Sequence, residues 1–306
     1  MTSSSSILIT GATGLVGRKL VEHLGQSLPG VALHVLTRAP EQASRFGTGV
    51  KEFGWSPENG HLDEAALEDV GCVVHLAGAP VAQRWTPNAR AAIRSSRIGT
   101  MELLRDQCRA MGLSPRVVTA SAIGWYAEGA EWRHESDSCG QGFLCDVVRD
   151  WEAAAHGLGD LGGGSVALRI GLVLAPHGGV LQRLLPLYRM GLGAPLAPGD
   201  QWQSWIHLDD LVRTFATAIV DTSWSGAINA VSPQPVQQRQ FSASLARAVA
   251  RPHFLPPVPR WAIRLRFGDA ASALLASHRV ACGRLQETGF RHHHPELQGA
   301  LDALLK

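Results

Sequence analysis

The most constraining stretch of this chain is ILITGATGLVGRKLVEHL, residues 7–24. The apolar run Ile7-Leu8-Ile9 reads as a buried strand and runs into a glycine turn. Apolar residues then recur at Val16, Leu20 and Leu24, the spacing of an amphipathic helix. Gly11, Gly14 and Gly17 stand three residues apart, and each has its own physical task. Gly11 lets the chain turn sharply off the strand. Gly14, with no side chain, lets a pyrophosphate approach the backbone, and Gly17 lets the helix lie close against the sheet. Unpaired N–H groups and the positive end of the helix dipole then face that phosphate. A glycine triplet alone is a weak signal. Placed after a strand and at the start of a helix, it reads as a dinucleotide site.

A second strand, Val31–Leu36, ends in Thr37-Arg38. In dinucleotide folds this strand end faces the adenosine ribose, where an acid binds the 2′-hydroxyl of NAD and repels a 2′-phosphate. No acid comes before Glu41, and Arg38 offers a planar fork suited to phosphate, which favours NADP(H). Residues 51–69 read as a polar, loop-rich segment. VGCVVHLA, residues 70–77, is the near-continuous apolar run of a parallel strand covered on both faces. It leads into His75-Leu76-Ala77-Gly78-Ala79, whose small residues let a cofactor lie close.

Residues 88–111 read as one long helix, with Arg94 and Arg97 on one face. Arg116–Ala120 is a further buried strand that delivers Ser121 to its C-terminal end, the edge where ligands bind in open parallel sheets. A loop, 122–142, carries Trp125 and Tyr126. A helical pattern (143–156) and a strand (165–174) containing Arg169 follow. The alternation predicts an α/β fold, a doubly wound parallel sheet with a smaller C-terminal lobe facing substrate. Residues 1–175 read as the dinucleotide-binding domain, completed by 204–231. Residues 232–306 form the smaller domain, and 176–203 contribute to the substrate lobe. Past Ala175 the chain predicts helices at 180–190 and 209–220, a short strand at 227–231, and at least three more helical patterns in the tail.

A formal net charge of +2 on 306 residues gives no pull towards nucleic acid or a membrane surface. No apolar stretch is long enough to span a bilayer, and MTSSSS lacks a signal-peptide layout. A cytoplasmic protein is therefore expected. Cys72, Cys108, Cys139, Cys145 and Cys282 are odd in number and scattered, which suggests reduced, mostly buried thiols. Residues 251–306 hold eight Arg/Lys against four Asp/Glu, a basic tail that faces either an anionic substrate or solvent.

The motifs ITGATGLVG, HLAGAPVAQRW, Ser95-Ser96-Arg97, SAIGWY, WEAAA, LRIGLVLAPHGG and QWQSWIHLDDL together resemble the NAD(P)-dependent epimerase/dehydratase superfamily of extended short-chain dehydrogenases/reductases. The chain is most similar to an atypical subgroup, the epimerase-family proteins with a C-terminal domain of unknown function. The resemblance implies NADP(H) against Gly11, Thr13, Gly14, Leu15, Val16, Gly17, Thr37, Arg38, Leu76, Ala77, Gly78, Arg97, Ile170 and Leu172. It also implies a small, sugar-like or nucleotide-linked substrate, and it allows a homodimer. The superfamily works with a Ser or Thr, a Tyr, and a Lys four residues after the Tyr, which lowers the tyrosine pKa. Here Ser121 survives, but Leu144 and Val148 stand at the Tyr and Lys positions, and no Tyr-x-x-x-Lys occurs. This leaves two readings, an oxidoreductase or epimerase-like enzyme and a catalytically silent NADP(H) sensor.

Other candidates carry less. Tyr126 is close enough in sequence to Ser121 to serve it, with Arg149 or Arg169 supplying positive charge. His207, in Ile-His-x-x-Asp, reads mainly as structural. His292–His294 alternate in direction and cannot share one ion, so no metal site is expected. Gly164-Ser165 lacks the second glycine of a nucleophile elbow. Trp85, Trp202 and Trp205 read as either a substrate wall or core.

Overall fold

The computed structural model describes residues 5–40, 46–47 and 49–306, so Glu41 and the first four residues lie outside the described part. Six strands come first: β1 Ser6–Thr10, β2 Leu33–Thr37, β3 Val50–Ser56, β4 His61–Leu62, β5 Val70–His75 and β6 Arg116–Ala122. With Ser165–Ile170 and Gly226–Ala230 they form an eight-stranded sheet, ordered Gly226–Ala230, Ser165–Ile170, β6, β5, β1, β2, β3, β4. Every neighbouring pair is parallel except β3 with β4. The chain runs outward from β1 to β3 and β4, then returns to β5 on the other side of β1. The order therefore reverses between β1 and β5, where such sheets open a ligand crevice.

The helices α1 Leu15–Ser27, α2 Pro87–Ser95, α3 Ile98–Ala110, α4 Phe143–Gly159, α5 Gly179–Arg189, α6 Leu208–Val220, α7 Gln238–Ala248 and α8 Arg260–Phe267 surround this frame. Alternate strand residues feed the two faces. Ile7, Ile9 and Val74 pack with Leu20 of α1 and Phe215 of α6. Leu8 and Val73 pack with Leu104 of α3 and Leu158 of α4. Burial on both faces explains why these strands lack polar alternation. A third cluster joins Leu185 of α5, Phe241 and Leu245 of α7, and Leu301 of the last helix.

The structure corrects the sequence reading at four places. Residues 50–56 are a sheet strand, not loop: β3 pairs in parallel with β2, and its Lys51 and Glu52 hide a strand whose Trp55 is buried. The long helix over 88–111 breaks at Ser96-Arg97, because both side chains turn away to hold the 78–79 segment. Ser96 Oγ accepts from the Ala79 amide and Arg97 Nη1 donates to the Ala79 carbonyl. The strand over 165–174 breaks at Gly171, and Leu172–Leu174 leaves the main sheet to pair with Trp205–His207. A side chain at Gly171 would meet the Ser204 carbonyl at 2.6 Å. Finally, Cys139 and Cys145 are joined in a disulfide, while Cys72, Cys108 and Cys282 are free and buried. The loop folds back through the Gly140 amide to the Trp125 carbonyl, bringing Cys139 to the first turn of α4.

Among the described residues no helix is long and apolar enough to cross a membrane.

Candidate active site

The glycine turn sits where the sheet order reverses. Gly11 has φ +69°, and a Cβ there would lie 2.6 Å from the Leu76 carbonyl carbon and 2.7 Å from the Ala77 nitrogen. Thr10 Oγ1 ties the same two segments by accepting from the Leu76 and Ala77 amides, each at 3.2 Å. A Cβ on Gly17 would sit 2.3 Å from the Gly11 carbonyl oxygen, so its absence brings the helix against the turn itself rather than the sheet. Gly14 differs: its Cβ would meet only the Gly11 oxygen, at 3.1 Å, and its other side is open. Helix α1 begins at Leu15 with Gly14 as N-cap, no side-chain cap and no acid in its first turn. The amides of Leu15 and Val16 therefore have no intrahelical partner, the arrangement that suits an anion at a helix N-terminus. Thr13 is exposed, and its carbonyl accepts from Arg18 Nε at 2.9 Å. At the end of β2, Thr37 is buried and its Oγ1 accepts from the Ala39 amide, whereas Arg38 is exposed.

Gly78 and Arg97 are matched. A Cβ on Gly78 would fall 2.9 Å from the Arg97 guanidinium carbon. That guanidinium donates to the Ala79 and Ile93 carbonyls and lies 5.2 Å from the Trp151 ring. Burial lowers its pKa to about 10. Neighbouring His75 is wholly buried, with Nε2 2.8 Å from Thr100 Oγ1, and burial followed by the Arg97 charge holds it down at about 3.

Ser121 lies at the C-terminal end of β6. Its hydroxyl donates to Glu152 Oε1 of α4 at 2.5 Å. Arg169, from the neighbouring strand, clasps the same carboxylate with both arms, Nε to Oε1 at 2.9 Å and Nη2 to Oε2 at 2.8 Å. Burial alone would lower the Arg169 pKa, but the Glu152 hydrogen bonds and charge outweigh it and the net shift is upward. Arg169 is also stacked 4.0 Å from the Trp125 ring and donates to the Tyr126 hydroxyl at 3.0 Å. That hydroxyl in turn donates to Asn229 Oδ1 at 2.7 Å. Tyr126 is buried, and burial pushes its pKa up to about 12. Of the two arginines considered for it, Arg149 lies away, on Asp146 and Asp150.

Ser121 opens into a cavity of about 830 Å³, which Arg97, Ile170 and Leu172 also line. Leu144 and Val148, at the positions of the superfamily's Tyr and Lys, face it as well. Trp202 is on its wall; Trp205 is core, and Trp85 is buried with its indole N–H on the Val81 carbonyl. Glu152 is the functional candidate that motif reading missed. Two signals were available: a charged Arg169 inside an apolar strand, which implies a buried counter-charge, and the acid of WEAAA one turn beyond Val148.

His292, His293 and His294 reach different partners, and His294 joins His207 and Asp209 in one close group. His292 Nε2 meets the Val231 carbonyl, the His293 and His294 amides donate to the Asp210 carboxylate, and the His294 ring stacks on His207 at 3.7 Å. Asp210, wholly buried, also binds Arg213, so Ile-His-x-x-Asp pins the C-terminal segment to α6. His207 Nδ1 caps α6 by accepting from the Asp209 amide.

Comparison with known proteins agrees with this geometry. Residues 7–229 match the NAD dependent epimerase/dehydratase family, and residues 258–304 match a domain of unknown function (DUF1731). An epimerase family protein of Mycobacterium bovis is 36% identical over 302 residues, covering 98% of this chain and 97% of its own. A chloroplastic homolog of epimerase family protein SDR39U1 from Arabidopsis thaliana is 33% identical, covering 99% of this chain and 88% of its own. The crystal structure of human epimerase family protein SDR39U1 with NADPH superposes with a TM-score of 0.85 at 27% identity, over 98% of this chain and 99% of that one. With a Rossmann-like sheet, a glycine turn at its switch point and these relatives along its whole length, the chain belongs to the NAD dependent epimerase/dehydratase family.

Proposed function

We propose that this protein is an NADP(H)-dependent oxidoreductase that works on a small carbonyl or alcohol held beside Ser121. NADP(H), when bound, supplies or accepts a hydride at nicotinamide C4. The open face of Gly14 and the uncapped start of α1 suit its diphosphate, and exposed Arg38 suits a 2′-phosphate. The human relative solved with NADPH supports the same choice. Leu76, Ala77, Gly78, Ile170 and Leu172 would line the rest of its path, with Arg97 beside them.

One observation carries the reading: the Ser121 hydroxyl is already donated to a carboxylate that Arg169 holds in place with both arms. That donation leaves the Ser121 lone pairs free to accept. In the oxidising direction a substrate hydroxyl gives its proton to Ser121 Oγ while the serine proton moves to Glu152 Oε1, as hydride leaves the same carbon. In the reducing direction both protons retrace that path. Ser121 and Glu152 thus replace the missing Tyr and Lys as the acid/base pair. Tyr126, with its hydroxyl committed to Asn229 and Arg169, serves as a positioning residue behind Arg169.

The experiment follows bound NADPH at its absorbance band while carbonyl compounds are added. Oxidation that is lost in Ser121→Ala and in Glu152→Gln supports the enzyme; oxidation equal in both variants rejects the pair. The sensor reading draws on Leu144 and Val148, apolar where chemistry is expected. NADPH binding with no oxidation across the panel would favour it.

A further inference from the structure

The lining of the cavity beside Ser121 is unlike a sugar site. Ile93 of α2, Leu144, Val147 and Val148 of α4, Phe241 of α7 and Ile263 of α8 make its walls. Several of its polar groups are spent on the protein's own backbone. Ser204 Oγ donates to the His278 carbonyl and accepts from the Val280 amide, and Gln238 Oε1 accepts from the Leu196 amide. Ser121 is given to Glu152. A hexosyl group carries a hydroxyl on almost every carbon, and most would enter such walls unpaired. Leu144 and Val148 make the contrast local, since they bring branched alkyl groups to the serine's own surroundings.

The rim has a different character. Arg183 and exposed Leu187 of α5 and Arg266 of α8 line the cavity at its surface side. Arg183 Nη1 donates to the Ala82 carbonyl, and Arg266 lies 5.3 Å from the Phe267 ring. Neither forms an ion pair among the described residues. Two cations at the edge of an apolar chamber are what an amphiphilic anion meets with its head while its body is buried.

We infer that the substrate is an apolar carbonyl compound ending in a carboxylate, of the oxo-fatty-acid or aryl-keto-acid kind. Its reducible carbon lies at Ser121 and its carboxylate at Arg183 and Arg266, and it is not a nucleotide sugar. This inference rests on the oxidoreductase reading for its chemistry but not for its binding, so the two fail separately.

The test uses the full-length protein with and without saturating NADP⁺ and a dansylated long-chain fatty acid as fluorescent probe. One probe per chain is expected, displaced by decanoate and not by UDP-glucose. Arg183→Glu, Arg266→Glu and Leu187→Asp, all at exposed positions, should each weaken the probe about tenfold while leaving NADPH affinity unchanged. Displacement by UDP-glucose, or charge reversal without effect on probe affinity, overturns the inference. If the probe binds as expected but oxo analogues of decanoate oxidise no NADPH, the ligand class stands and the hydride chemistry falls.

Discussion

Ser121 and Glu152 are 31 residues apart in sequence, yet hydroxyl and carboxylate meet at 2.5 Å, because a strand end and a helix face converge on one side of the sheet. The pair depends on Arg169, whose side chain is 3% exposed and has Glu152 as its counter-charge. Glu152→Ala should therefore destabilise the fold by about 3–5 kcal/mol, the cost of stranding a buried cation. Glu152→Leu combined with Arg169→Met should recover most of that loss, because both desolvated charges go together. Urea unfolding of the three proteins checks this. A double variant no more stable than Glu152→Ala would show that the pair is not the cause.

The NADP(H) preference proposed above rests on Arg38. Arg38→Asp is expected to weaken NADPH by about tenfold or more and to favour NADH, since a carboxylate repels the 2′-phosphate and accepts from a 2′-hydroxyl. Fluorescence titration with each nucleotide measures it. An unchanged preference removes Arg38 from the site.

The turn glycines separate binding from folding. Gly14→Val adds its bulk on the open side, so the protein should fold while dinucleotide affinity falls by about tenfold or more. Gly17→Ala forces a methyl 2.3 Å from the Gly11 oxygen, against backbone that cannot yield, and should lower thermal stability as well as binding. Equal melting temperatures for the two variants would contradict this division.

The dinucleotide half was legible in sequence because its signals are local. A strand, a glycine triplet and a helix start within 18 residues report their own geometry, as do the apolar runs of β5 and β6. What was not legible depends on distant partners. Residues 50–56 look like polar loop because β3 lies towards the sheet's edge and keeps Lys51 on its surface. Glu152 reads as an ordinary helix charge until Arg169 arrives from another strand. Tyr126 invited a catalytic role by its nearness to Ser121, and only the fold shows its hydroxyl turned towards Asn229. The Cys139–Cys145 bond was hidden for the same reason, since a scattered count says nothing of a loop that doubles back.

Tyr126→Phe tests whether that tyrosine hydroxyl positions Arg169 or takes part in the chemistry. It should cost about 1–3 kcal/mol of stability by leaving Asn229 Oδ1 and one Arg169 arm short of a partner. Turnover of NADPH and its pH profile should stay close to wild type. A shifted profile would return Tyr126 to the chemistry.

His75 makes stability depend on pH. Its folded-state pKa of about 3, set by burial and then by Arg97, lies below the ordinary value of 6.5. The unfolded chain therefore binds the proton first as pH falls, and the native state loses ground from about pH 6.5 downward until His75 itself protonates near 3. At two units below the unfolded value, with each unit being about 1.4 kcal/mol, the loss from this one ring is about 3 kcal/mol. His75→Asn keeps a donor for Thr100 and removes the titration. It should be less stable than wild type at pH 7 but lose less between pH 6.5 and 4.5, seen as a shallower fall in urea midpoint. Parallel curves for the two proteins would mean that His75 is protonated in the native state at ordinary acidity, and that the Arg97 charge beside it does not keep it neutral.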